Sequence, residues 1–494
     1  MKVLTALAMA LLLLLLVGCG RNNEQSDENL LADYPENVHE YTPEQSMVIS
    51  PVSVPQQERP ITMADLHPIQ PLNLTTEDLL YDLDFMVRVI EDTFPFFGVL
   101  ERRFGIDIHE LAQETREIII NYPYSLQDFA YEIGIALEYM PALDEQVFWG
   151  ILRGDFFGQF SPFAHASSLH YTASSTHLRG PFESLASRTF YRNQATLTQN
   201  LLAEDHKLFQ FYFRIDPSHF QAIVHDELSQ AVETSIIEEG RIAYVNIGSL
   251  MNPTGAFVQK LMNFYEEIQK YEYLIIDMRD SSGGFAITAP ALIMYPLWYD
   301  RDNAPEMTMY AFFISYDIAQ SHSHVIQAHP AYVRNPNHAL PLFEILEMNH
   351  LPYLNEQDKP FLSYGFRINV NVNNINLNSS RSTSTLNISR IPFTGKIWIL
   401  TSSRNYSASA VFANIAKDTG FATLVGEQVA GGLTATGPYH VTLPNTGIVV
   451  GWDRDYLTDQ YGRALNEFLP TPHYFNKEGR DALETVLQLI DVGV

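Results

Sequence analysis

Two short runs of consecutive apolar β-formers constrain the fold of this chain most. They are Tyr273-Leu274-Ile275-Ile276-Asp277-Met278 and Lys396-Ile397-Trp398-Ile399-Leu400-Thr401. Neither alternates apolar with polar residues, so neither suits a sheet with one wet face. The first runs into a charged, glycine-containing loop and a helical stretch at 286–294, the second into a helical stretch at 407–417. Further buried-strand patterns lie at 241–247, 421–426 and 447–452, and helical ones at 254–270 and 479–490. Strands alternating with helices specify an α/β layer structure, here from about residue 235 to 494. Within it, 303–393 is polar and irregular, with Asn-rich and Ser-rich tracts near 369–384, and reads as an insertion.

A chain of 494 residues exceeds one ordinary core, so two or three domains are expected. Thr75 is a fitting N-cap with Asp78 three residues on. Leu79, Leu80, Leu83, Met86, Val87 and Ile90 then recur at helical spacing up to a turn at Pro95. With helical patterns at 108–122 and 126–139 they define a small helical domain, 75–145. Residues 146–234 form a mixed intermediate region of aromatic, Ser, His and Gly residues.

The N-terminus reads as a targeting segment. Residues 1–18 carry Lys2 and an apolar run at 11–16 that is short for a bilayer span. Leu16-Val17-Gly18-Cys19 has the pattern of a bacterial lipoprotein processing site, which would leave lipid attached to Cys19. Cys19 is the only cysteine, so it has no internal disulfide partner, and catalysis and metal binding cannot use another thiol. Residues 19–74, rich in Asn, Gln, Glu, Asp, Ser and Pro, are expected to be a tether. The expected location is the cell envelope, facing outside the cytoplasm. A net charge of −28 argues against a nucleic-acid partner and leaves membrane attachment to the lipid.

Two loops carry chemistry. After 273–278 comes Arg279-Asp280-Ser281-Ser282-Gly283-Gly284. Glycines there let backbone N–H groups approach a ligand closely, as oxyanion donors do, although Gly-Gly after a strand is more often just a tight turn. After 396–401 comes Ser407-Ala408-Ser409-Ala410 at a helix start. Ser407 is either a plain N-cap or a nucleophile at the positive end of a helix dipole, with the Ala408 N–H as an oxyanion donor.

Taken together, the loops resemble the tail-specific (C-terminal processing) serine peptidase family and its relatives around the tricorn protease core. That family has a D-x-R-x-N-x-G-G loop, matched by Asp277, Arg279, Gly283 and Gly284 with Ser281 in place of Asn. Its S-A-[AS]-E helix start matches Ser407-Ala408-Ser409-Ala410, and its later D-x-G-x-A-x-x-V-G-E matches Asp418, Gly420, Ala422 and Val425-Gly426-Glu427. A glutamate before a Pro-containing loop and closing helix matches Glu467 to Pro472 and Gly479-Arg480-Asp481-Ala482-Leu483-Glu484. Phe94-Pro95-Phe96-Phe97 is similar to lipoprotein-type members. The resemblance implies a ClpP/crotonase-like central sheet with flanking helices. It also implies hydrolysis of peptide or protein substrates through an acyl-enzyme on Ser407, without a cofactor or metal. Gly283, Gly284 and Ala408 would hold the oxyanion, and Glu467 would support the base.

The general base departs from the family. Gly432 stands where the lysine-using branch has its lysine, which excludes that mechanism as written. Where the histidine-using branch has its histidine the chain reads Leu143-Asp144-Glu145-Gln146, and glutamine is no base. Two accounts stay open: another histidine, with His165 and His170 as candidates, or a retained peptide-binding cleft without efficient hydrolysis. The region 146–234 lacks the carboxylate loop of a PDZ-type tail reader. His322-Ser323-His324 has no H-E-x-x-H partner motif, which argues against a metal enzyme. A transporter's substrate-binding lipoprotein would need two similar α/β lobes, and the sequence shows one α/β body.

Overall fold

Strand β4 (Tyr273–Asp277) shows why the central sheet is covered on both sides. Its last four residues are all buried, although successive side chains point to opposite faces. Leu274 and Ile276 join one apolar core, while Ile275 joins another. The computed structural model describes most of residues 74–121, 232–321, 332–371, 387–435 and 439–494, with short pieces at 129, 157–159 and 184–190. The expected signal segment, Cys19, the tether, residues 130–145, most of 146–231, His165, His170 and His322-Ser323-His324 lie outside the described residues.

Around β4 the sheet has six strands. Its order is β13 (Tyr474–Phe475), β9 (Thr423–Gly426), β8 (Lys396–Thr401), β4, β3 (Ile242–Ile247) and β2 (Val232–Glu238). All neighbours pair parallel except β2 with β3. Parallel neighbours require crossovers: α4 (Gly255–Glu267) links β3 to β4, and α6 (Ala408–Asp418) links β8 to β9. Both helices pack on the face of Leu274 and Ile276 through residues such as Leu261 and Phe412. Helix α7 (Ala482–Asp491) covers the other face, where Val486 and Leu489 meet Ile275, Trp398 and Leu400. A capping box starts α7: Asp481 accepts from the Glu484 N–H, and Glu484 accepts from the Asp481 N–H.

Among the described residues, α1 (Thr76–Thr93), α2 (Phe97–Phe104) and α3 (Ile108–Asn121) build the N-terminal helical region. The expected Thr75–Asp78 capping box starts α1, and Leu79, Leu83, Met86 and Ile90 form its buried face. Phe94 ends the helix in an extended conformation, as the residue before a proline must. Asp82, fully buried, accepts the Asn445 and Thr446 N–H groups and so ties α1 to a loop of the C-terminal part.

The stretch expected to be irregular holds regular structure. Strands β5 (Glu306–Phe313), β6 (Tyr332–Pro341) and β7 (Tyr364–Asn371) join β12 (Tyr456–Thr458) in a four-stranded antiparallel sheet ordered β12-β5-β7-β6. Helix α5 (Leu342–Met348) follows β6. Met309, Ala311 and Phe313 face the core of the six-stranded sheet, while Tyr310 and Phe312 face the core shared with α1–α3. A third sheet orders β1 (Phe157–Gln159), β11 (Val449–Trp452) and β10 (Tyr439–Thr442). The fold is thus α/β with a mixed central sheet, flanking helices and a helical region ahead of it.

Candidate active site

Ser407 precedes the first residue of α6 with φ 55° and ψ −125°. Among the described residues it is the only non-glycine with positive φ. Such a conformation costs roughly 1–3 kcal/mol and persists only where the surroundings over-determine it. Here they do: the Ser407 N–H donates to the Gly431 carbonyl (2.9 Å), and its carbonyl accepts from Val411 N–H (2.9 Å). Ser407 occupies the N-cap position, yet its side chain makes no capping hydrogen bond. The N-cap alternative therefore leaves the hydroxyl unexplained. A strained serine on the turn into a helix is the arrangement that presents a nucleophilic Oγ. As the first helical residue, Ala408 has a backbone N–H outside the helix's own ladder.

The glycine loop lies against this turn. A Cβ on Gly283 would sit 2.6 Å from the Tyr406 carbonyl oxygen, 3.0 Å from Ser407 Cβ and 3.1 Å from Ala408 N. Gly283 and Gly284 have φ of 112° and 139°, so the conformation favours glycine at both, and the close approach requires it at Gly283. The structure thus brings Gly283, Ser407 and Ala408 together. Asn405 and Ser409 also bind this loop. Asn405 Nδ2 donates to the carbonyls of Met278 (2.5 Å) and Ser281 (3.0 Å), and Ser409 Oγ donates to that of Ser281 (2.7 Å). No sequence pattern singled out Asn405; a loop asparagine is commonplace, and its role depends on residues more than a hundred positions away.

A third loop, 426–435, passes beside Ser407. Gly431 pairs with Tyr406 in an isolated bridge. At Gly432, where the lysine-using branch has its base, a Cβ would meet the Tyr406 ring at 2.4 Å, and φ is +66°. That position is closed to any side chain while Tyr406 stays in place. Beyond it, Asn466 pairs with the backbone of Leu433, and buried Asp455 accepts from the Thr434 hydroxyl and the Ala435 N–H.

Other matched residues make ion pairs and hydrogen bonds around these loops. Arg279 makes a close ion pair with Asp277 (2.7 Å) and reaches Asp481 at the start of α7 (2.9 Å). The Tyr244 hydroxyl donates to Asp277 (2.7 Å), and burial, then this bond, pushes its pKa up. Glu467, expected to support a base, has Arg102 of α2 as the partner of both oxygens, at 3.1 and 2.8 Å. The same guanidinium binds both oxygens of the buried Asp358. Arg103 donates to the Asn466 carbonyl at 2.6 Å.

Residues 241–474 match the family model described as Peptidase family S41. It is a family of serine-type peptidases, whose substrates are peptides or proteins. Solved structures that match the chain include a candidate peptidase from Parabacteroides merdae ATCC 43184, with 14% identity, a TM-score of 0.44 and coverage of 85% of this chain and 100% of that one. Mature CPAF has 11% identity, a TM-score of 0.43 and coverage of 81% and 92%. A lipoprotein from Streptococcus agalactiae has 15% identity, a TM-score of 0.33 and coverage of 56% and 74%. No curated protein matches the chain.

Proposed function

We propose that the protein hydrolyses peptide bonds through an acyl-enzyme on Ser407. The observation that carries this reading is the Ser407 backbone, strained at φ 55° with its hydroxyl making no cap bond. In the reaction Oγ attacks the scissile carbonyl carbon and its proton passes to a base. The carbonyl oxygen, now an anion, takes hydrogen bonds from the Ala408 N–H and the Gly283/Gly284 loop. Collapse expels the amine, which takes the proton, and water then cleaves the ester. A hydroxyl needs a base to react near neutral pH, and His165 and His170 are the candidates.

The test is labelling of the full chain, solubilised in detergent, with a fluorophosphonate probe. Wild type should label and Ser407→Ala should not, with both folded. Wild type that stays unlabelled from about pH 6 to 9, where an unassisted hydroxyl is almost wholly protonated, would overturn the peptidase reading. The site would then be a peptide-binding cleft. We further propose lipid anchoring at Cys19, motivated by the Leu16-Val17-Gly18-Cys19 pattern. Metabolic labelling with an alkyne fatty acid should mark wild type and not Cys19→Ala; equal labelling removes that proposal.

A further inference from the structure

Asn405 is 1% exposed and uses every hydrogen-bonding group of its amide. Its two Nδ2 protons go to the Met278 and Ser281 carbonyls, and its Oδ1 accepts the Ser402 N–H at 2.8 Å. Reversing the amide would set its oxygen against two carbonyl oxygens, so the orientation is fixed by its neighbours. Its own carbonyl accepts the Ala430 N–H at 2.8 Å. One side chain and its backbone thus join three loops: the segment leading to Ser407, the Met278–Gly284 turn, and the loop that delivers Gly431. Ser409 adds a second donor to the Ser281 carbonyl at 2.7 Å. Two residues beyond that carbonyl, Gly283 lies against Ser407 and Ala408.

We infer that Asn405 is a positioning residue, which sets the distance of the Gly283/Gly284 loop from Ser407 by holding the Met278 and Ser281 carbonyls. It touches no reacting atom. The inference rests on the Ser407 reading above for its effect on rate, and on hydrogen bonds alone for its effect on the loop. Catalytic groups displaced by about 1 Å lose on the order of 100-fold in rate.

The experiment compares the full chain with Asn405→Asp, Asn405→Ala and Ser409→Ala. It measures fluorophosphonate labelling rates relative to wild type at each pH, and hydrogen exchange of peptides covering 278–284. Asn405→Asp keeps the size and the acceptor for Ser402 but turns a carboxylate toward two carbonyls. It should label about 100-fold more slowly than wild type at pH about 8. The deficit should narrow toward pH about 5, as the introduced carboxyl gains a proton and donates again. Asn405→Ala should lose a similar factor at every pH. Ser409→Ala, which removes one of two donors to a single carbonyl, should lose less. Exchange at 278–284 should rise in the Asn405 variants. Folded Asn405→Asp labelling at the wild-type rate at pH about 8, or with a pH-independent deficit, overturns the inference. If Asn405→Ala does not fold, Asn405→Asp decides alone. If wild type does not label, the Ser407 reading falls, and exchange decides the loop claim: an increase supports it and no change overturns it.

Discussion

The surroundings of Ser407 and of Glu467, the two side chains the sequence singled out for catalysis, are built on opposite terms. At Ser407 the backbone is strained, the neighbours are glycines and backbone groups, and the hydroxyl makes no cap bond. At Glu467 the backbone is ordinary, the neighbours are charged, and both carboxylate oxygens are held by Arg102. The first region holds a strained backbone and leaves its hydroxyl free of the helix cap. The second uses a guanidinium to join α2, the chain near Asp358 and the loop that braces Leu433. A family motif therefore locates a residue without stating its job; the job follows from which of its groups the fold has already committed.

Removing the charge at the second region should give the largest effect. Arg102→Ala removes the counter-charge of Asp358, whose side chain is fully buried and keeps the Tyr456 hydroxyl as a donor. Breaking a buried pair from one side costs about 3–5 kcal/mol, to be read by denaturant unfolding, with the lower end expected because Arg102 is 20% exposed. The folded variant should keep its labelling rate within a few-fold. A lost rate in a folded variant would break the comparison and bring Glu467 into the chemistry. At the first region, Gly283→Ala should lower labelling by about 100-fold, or about 2.7 kcal/mol of barrier. Its Cβ would press on the Tyr406 carbonyl and the Ser407 side chain.

Strain gives a subtler test. Ser407→Gly should abolish labelling yet raise stability by about 1 kcal/mol, the strain of roughly 1–3 kcal/mol less the entropic cost of glycine. A less stable variant would mean the turn is not strained. The smallest effect lies at the sheet edge. His473 Nδ1 accepts the Leu424 N–H. Partial desolvation of its ring, then Lys417 and Lys396, hold its pKa below the usual histidine value. The stability it contributes is therefore present above about pH 6.5 and lost as pH falls through the lower folded value. The residue is largely exposed, so His473→Gln should flatten the acid side of the melting-temperature profile only slightly.

Local patterns carried much of the fold. The apolar runs at 273–278 and 396–401 became β4 and β8, adjacent and parallel, and the Thr75–Asp78 signal became a full capping box. These features depend on residues a few positions apart, so the chain states them directly. The antiparallel sheet of β5, β6, β7 and β12 was not legible. Its strand β12 lies well over a hundred residues beyond its partner β5, across the polar tracts that suggested an irregular insertion.

The loops of the candidate site divide in the same way. By itself the sequence determined that a Gly-Gly loop follows one buried strand and that a serine opens the helix after another. Only the tertiary structure decided that Gly283 touches Ser407, that Asn405 holds the loop between them, that Tyr406 closes the position at Gly432, and that Glu467 faces a guanidinium. Each depends on backbone groups from distant segments meeting at hydrogen-bond or van der Waals distance. Packing of the whole sheet sets those distances, and local propensity does not.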